Sequence, residues 1–144
     1  MRVGVDTSVI VAAVHANHPL HGEASAWLDA AFSDHEIVVT HHSLLETYAV
    51  LTRLPAPYRF APGEAQMVLR ETLQDNAQLA AFDAPSAWEA LDSVGRVPAA
   101  GGESYDAFII YLLLSAGVEL IVTYNVRELR RLGHGVRIAC PKEA

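Results

Sequence analysis

The sequence has one cysteine, Cys140, so no disulfide closes within the chain and no cysteine cluster offers a structural zinc site. Cys140 reads as a small apolar residue. No apolar run reaches the roughly 20 residues of a membrane span. The longest, from Ala107 through Leu114 toward Val118, is interrupted by Ser115 and Gly117 and reads as a buried helix. The opening residues lack the basic segment, apolar run and cleavage site of a secretory signal, and the expectation is a cytoplasmic protein with no membrane association. There is no phosphate-cradling glycine motif, since Gly101-Gly102 alone does not make one, and neither Ser43 nor Ser104 sits in a nucleophile motif. A phosphatase-type aspartate start needs a second carboxylate two residues after the first, and Ser8 stands there after Asp6.

Charge is also scarce, at 19%, and basic charge scarcer still: 10 Lys and Arg against 17 Asp and Glu give a net charge of -7. That balance opposes a non-specific nucleic-acid binder held by phosphate attraction. Five of the basic residues, Arg127, Arg130, Arg131, Arg137 and Lys142, nevertheless gather near the C-terminal end. They form either a solvated surface or a path for an RNA backbone or an acidic partner segment.

What is abundant is core material. With 51% hydrophobic residues in 144, disorder is excluded and a single domain over residues 1–144 is expected, burying roughly two-thirds of the chain's unfolded surface. Arg2 to Asp6 reads as a strand and Thr7 to Val14 as a helix. A second helix spans Gly22 to Phe32, Ile37 to Val39 is a β-branched strand, and Thr40 caps a helix that stops before Pro55. After a proline-rich loop, Glu64 to Leu73 and Pro85 to Val94 read as helices, and Gly95 to Gly102 as a mobile connection. A helix from near Ser104 ends at Gly117, followed by a strand at Leu120 to Val122, a helix at Val126 to Leu132 and a strand at Val136 to Ala139. Strands alternating with helices imply a three-layer α/β/α fold with a mostly parallel central sheet.

Chemistry concentrates in four residues. Asp6 stands where an apolar strand ends, at the sheet edge where ligands bind in open α/β folds, although capping the next helix is its simpler role. Glu46 lies among apolar residues of its helix, Asp106 heads the most apolar helix, and Asn125 follows the strand at Leu120 to Val122. Helical crossovers would return all four to one sheet edge. Clustered carboxylates repel, and a hard divalent cation, Mg²⁺ with Mn²⁺ as substitute, offsets that repulsion and suits phosphodiester hydrolysis.

From Val3 to about Ile138 the chain resembles the PIN-domain family, and within it the VapC-type toxin ribonucleases. The resemblance rests on the valine-aspartate-threonine-serine segment at Val5 to Ser8, the helix-borne Glu46, the tyrosine-aspartate-alanine start at Tyr105 to Ala107 and the late strand edge with Thr123. It implies a metal-dependent endoribonuclease, a hydrolase acting as the toxin of a toxin-antitoxin pair. Asp6, Glu46, Asp106 and Asn125 would form its metal-binding and catalytic pocket, with Thr7, Ser8 and Thr123 orienting ligands. An RNA substrate, a cognate antitoxin protein and a homodimer are implied too. Asn125 departs from the family, which commonly has an acid there; its carbonyl oxygen brings no charge, so a second metal position would be weaker. Glu103, three residues before Asp106, is the expected compensating acid, ahead of Glu128. The alternative reading is an RNA- or protein-binding module with weak or lost nuclease activity.

The remaining candidates read as local structure. His15, His18 and His21 recur at threes across a helix end and read as surface or cap residues rather than a zinc site. His41 and His42 receive no catalytic role, and Trp27 and Trp88 read as core or interface residues.

Overall fold

Runs of valine and isoleucine form the sheet because branched side chains pack well on a pleated surface, and the alternation of strand side chains divides them between two faces. The computed structural model describes residues 1–133 and 135–144. Its elements run β1 (Arg2–Val5), α1 (Thr7–Val14), α2 (His21–Asp34), β2 (Glu36–Thr40), α3 (His41–Arg53), α4 (Pro62–Leu73), β3 (Ala77–Ala80), α5 (Ala84–Arg96), α6 (Glu103–Ser115), β4 (Leu120–Val122), α7 (Val126–Leu132) and β5 (Arg137–Ala139). The five strands lie in the order β3-β2-β1-β4-β5, and all four pairings are parallel.

Helices cover both faces. Val3, Val5, Ile37, Val39, Leu120 and Val122 pack on one side against α1, α2 and α4. Val38, Ile121 and Ile138 face the other way, onto Ile109, Leu113 and Leu129 of α6 and α7, and α5 packs on α6. The chain leaves β1 in one direction toward β2 and β3 and later returns to its other side through β4 and β5. This reversal opens a crevice beyond the carboxyl ends of β1 and β4, the place where open parallel sheets bind ligands.

Gly4 sets the depth at which α6 sits on the sheet. A Cβ there would meet Leu113 Cδ1 at 2.8 Å and Val118 Cγ1 at 3.2 Å, and Leu113 is fully buried. Replacing glycine removes about 0.5–1 kcal/mol of excess chain entropy, but overpacking a closed core costs roughly 1–3 kcal/mol. Gly4→Val should therefore destabilise the protein by about 1–2 kcal/mol in urea titration, and an unchanged midpoint would show that α6 is free to ride up.

Three differences from the sequence reading stand out. The strand β3 was not anticipated: Ala-Gln-Leu-Ala has no β-branched residue, and it extends because the edge of β2 pairs it from Ala77 opposite Ile37 to Ala80 opposite Thr40. The expected connection at Gly95 to Gly102 is shorter, since Gly95 and Arg96 belong to α5. Trp27 packs partly buried against the core, whereas Trp88 is 70% exposed and is no core residue.

Candidate active site

Asp6 follows β1 directly and is 4% exposed. It caps α1, with its Oδ2 accepting from Ser8 N at 3.3 Å, so the simpler capping role and a place in the crevice coincide. The same oxygen accepts from Ser8 Oγ at 2.7 Å and from Thr123 Oγ1 at 2.8 Å. Both hydroxyls are themselves held by backbone amides: Tyr124 N donates to Ser8 Oγ at 3.0 Å and Asn125 N to Thr123 Oγ1 at 2.9 Å. Each hydroxyl has one proton, which goes to Asp6, while its lone pair takes an amide. The segment after β4 thus fixes the carboxylate after β1. Among the described residues, these side-chain bonds converge on Oδ2, and Oδ1 is left for a ligand.

Glu46 is placed by α3. Thr40 caps this helix, its Oγ1 accepting from Ser43 N at 2.9 Å, and Ser43, Thr47 and Leu51 form the buried face. Glu46 and Val50, one turn apart on a neighbouring face, line the crevice. Thr7 Oγ1 donates to Glu46 Oε2 at 2.7 Å. Asp106 lies in the first turn of α6, half-buried. Its carboxyl is pushed up to about 6, chiefly by burial and then by the charges of Asp6, Glu46 and Glu128.

Asp6, Glu46, Asp106 and Asn125 all line one cleft of about 420 Å³, together with Thr7 and Ser8. Asn125 occupies the N-cap position of α7, yet its side chain makes no capping bond, so its amide remains available to the cleft. Among the described residues, no Lys or Arg lines this space. A larger groove of about 500 Å³ between α3, α4 and β3 has aliphatic walls, including Leu44, Leu69 and Leu73, and no carboxylate, so the acidic cleft is the better candidate for chemistry.

Neither auxiliary acid lines the cleft. Glu103 is bound by Arg131 of α7. Glu128 is the acid whose charge acts on Asp106. Spacing along α6 favoured Glu103, whereas α7 packed beside α6 brings Glu128 across. The C-terminal basic group is also partly committed: Arg130 donates to Ile138 O at 2.9 Å and Arg131 holds Glu103, while Arg127, Arg137 and Lys142 are exposed and make no such bond among the described residues.

His15, His18 and His21 form structural contacts. His15 is buried rather than superficial and lies against Tyr58 and Phe60. His18 lines the acidic cleft; Leu20 N donates to its Nδ1 at 3.0 Å, so the neutral ring carries its proton on Nε2. Burial, with His15 and His21 nearby, holds its pKa below the usual histidine value.

The donor set suits a hard cation. The oxygens of three carboxylates and one amide share a cleft that, among the described residues, no Lys or Arg lines, and Asp106 is raised first by burial and then by the neighbouring negative charges. Among the described residues no group of three or more His, Cys, Asp or Glu side chains is already gathered as for a metal ion. Mg²⁺ commonly uses one or two carboxylates and keeps several waters, so it does not need such a group.

The family model described as PIN domain matches residues 3–135. Over 128 residues the chain is 33% identical to "Ribonuclease VapC40" of Mycobacterium tuberculosis, covering 89% of this chain and 87% of the relative. It is 39% identical over 69 residues to "Ribonuclease VapC27" of the same organism, 48% of this chain and 47% of that one. Among solved structures, a chain of VapBC2 from Rickettsia felis superposes with TM-score 0.70 at 17% identity, covering 97% of this chain and 98% of that chain. VapC20 of Mycobacterium tuberculosis gives 0.68 at 18%, over 94% and 98%. The chain belongs to the PIN-domain family, with VapC-type ribonucleases as its homologues.

Proposed function

We propose that this protein is a metal-dependent endoribonuclease that hydrolyses RNA phosphodiester bonds, the toxin of a VapBC-type toxin-antitoxin pair. The carrying observation is the convergence of Asp6, Glu46 and Asp106 on one cleft that no Lys or Arg among the described residues lines. The relatives named as ribonucleases supply the reaction class.

Asp6, Glu46 and Asp106 would hold Mg²⁺ or Mn²⁺, with the Asn125 carbonyl as a neutral fourth donor. When bound, the cation activates water and stabilises charge developing on the phosphate. Thr7 holds Glu46, and Ser8 and Thr123 hold Asp6, so these hydroxyls position ligands rather than act on RNA. A cytoplasmic homodimer restrained by an antitoxin covering the cleft completes the reading.

An RNA cleavage assay across an Mn²⁺ or Mg²⁺ titration tests it. Wild type should cleave, and chelation should abolish cleavage. Because Glu103 is held by Arg131, the charge missing at Asn125 falls to Glu128. Glu128→Gln should lower the rate at limiting metal by about tenfold, within the range for residues that tune a metal site, and adding Asn125→Asp should restore it. A wild type without activity beside an active Asn125→Asp variant would instead establish the binding-module alternative, and inactivity of both would overturn the nuclease.

A further inference from the structure

Beside each of two cleft carboxylates stands an aromatic ring that neither the core nor the cleft uses. His42 precedes Glu46 by one turn of α3, and Tyr105 immediately precedes Asp106 on α6. The two rings stack across the helices, centroids 5.2 Å apart and planes within 12°. His42 Nε2 lies 3.8 Å from Glu46 Oε2, which sets the stack at the mouth of the acidic cleft. Tyr105 is 60% exposed although His42 covers one of its faces. Its opposite face is therefore open to solvent.

We propose that the His42–Tyr105 stack is a base platform: an unpaired nucleobase of single-stranded RNA lies on the open face of Tyr105 and presents a neighbouring phosphate to the acidic cleft. The proposal rests on the ribonuclease reading for the identity of the ligand and deepens it by assigning how RNA is gripped. A chain of net charge -7 with an acidic cleft draws little help from phosphate attraction. Stacking is indifferent to that repulsion, because every base has a π-face, and it also selects unpaired RNA, since bases within a duplex are already stacked on both sides. The rigid Tyr105 ring, held on one face by His42, loses little freedom when a base covers the other. Trp88 is more exposed still but lies on α5 with no ring stacked upon it among the described residues, so it lacks the preformed geometry.

The test is binding of a short single-stranded RNA containing a 2-aminopurine base, followed by its fluorescence in the presence of chelator so that no cleavage occurs. Wild type and Tyr105→Phe, which keeps the ring, should quench the probe with similar affinity. Tyr105→Ala should bind roughly fivefold to a hundredfold more weakly, the range for losing one base–aromatic stack. That deficit should persist between about 50 and 200 mM salt because it is not ionic. Circular dichroism should show Tyr105→Ala folded, as the ring is exposed.

Cleavage of the same RNA with Mn²⁺ is measured in parallel. Cleavage by wild type with no quenching, or with Tyr105→Ala binding as tightly as wild type, would overturn the platform and leave the nuclease standing. Quenching that depends on the Tyr105 ring without any cleavage would uphold the platform and remove the nuclease.

Discussion

Replacing Asp106 by asparagine is expected to abolish RNA cleavage while making the metal-free protein more stable at neutral pH. The two effects have one cause. Asp106 is half-buried beside Asp6, Glu46 and Glu128, which raises its carboxyl from 3.8 to about 6. Between those values the folded chain holds the proton and the unfolded chain does not, so stability falls as pH rises from about 4 to about 6. The penalty is fully present above the folded value. Unscreened, that difference would correspond to nearly 3 kcal/mol by linkage, but solvent screens a half-exposed group, and about 1 kcal/mol is the expectation.

Asparagine has nearly the same shape and no charge to repel. Metal-free Asp106→Asn should melt roughly 3 °C above wild type near neutral pH, and the difference should vanish near pH 4. Cleavage should fall on the order of a thousandfold, because in the proposed mechanism several kcal/mol of transition-state stabilisation would depend on the cation that this carboxylate would help to hold. Added Mg²⁺ should stabilise wild type more than the variant. Undiminished cleavage in the folded variant would remove Asp106 from the mechanism, and identical melting at neutral pH would remove the repulsion.

The features legible in the sequence are those set by local chemistry. β1, β2 and β4 are short branched runs, Thr40 announces the start of α3, and Pro85 fits the first turn of α5. Asp6 and the Thr123–Asn125 segment share an edge because each follows a strand of a parallel sheet, and β1 and β4 are neighbours there. Features made by partners were not legible. β3 is extended by its pairing with β2, not by its residues. Glu103 and Glu128 could be ranked only by spacing along the chain, whereas the pairing of Glu103 with Arg131 and the action of the Glu128 charge on Asp106 follow from the packing of α7 beside α6. His42 and Tyr105 are 63 positions apart and have no spacing to suggest a stack. The roles of Ser8 and Thr123 were visible as nearby hydroxyls, but that both give their protons to Asp6 follows only from the directions of the bonds.

Those directions make Thr123→Val the most informative change outside the carboxylates. Thr123 is fully buried; its hydroxyl donates to Asp6 at 2.8 Å and accepts from Asn125 N at 2.9 Å. Valine fills the same space and does neither, so the packing survives while a nearly buried carboxylate loses a donor and a part-buried amide loses its acceptor. Leaving such groups short costs about 1–3 kcal/mol, which urea titration would resolve. The larger effect should be on cleavage. Asp6 would keep only Ser8 to fix its orientation, and losing a residue that orients a ligand typically lowers activity or metal affinity by about 10–100-fold. Thr123→Ser retains the hydroxyl and should restore most of the activity, which separates a lost hydrogen bond from a lost methyl group. Ser8→Ala should cost less stability, since Ser8 is partly exposed and water can take its place. If Thr123→Val cleaves like wild type at limiting metal, Asp6 is held by the sheet alone and the hydroxyl pair has no part in the site.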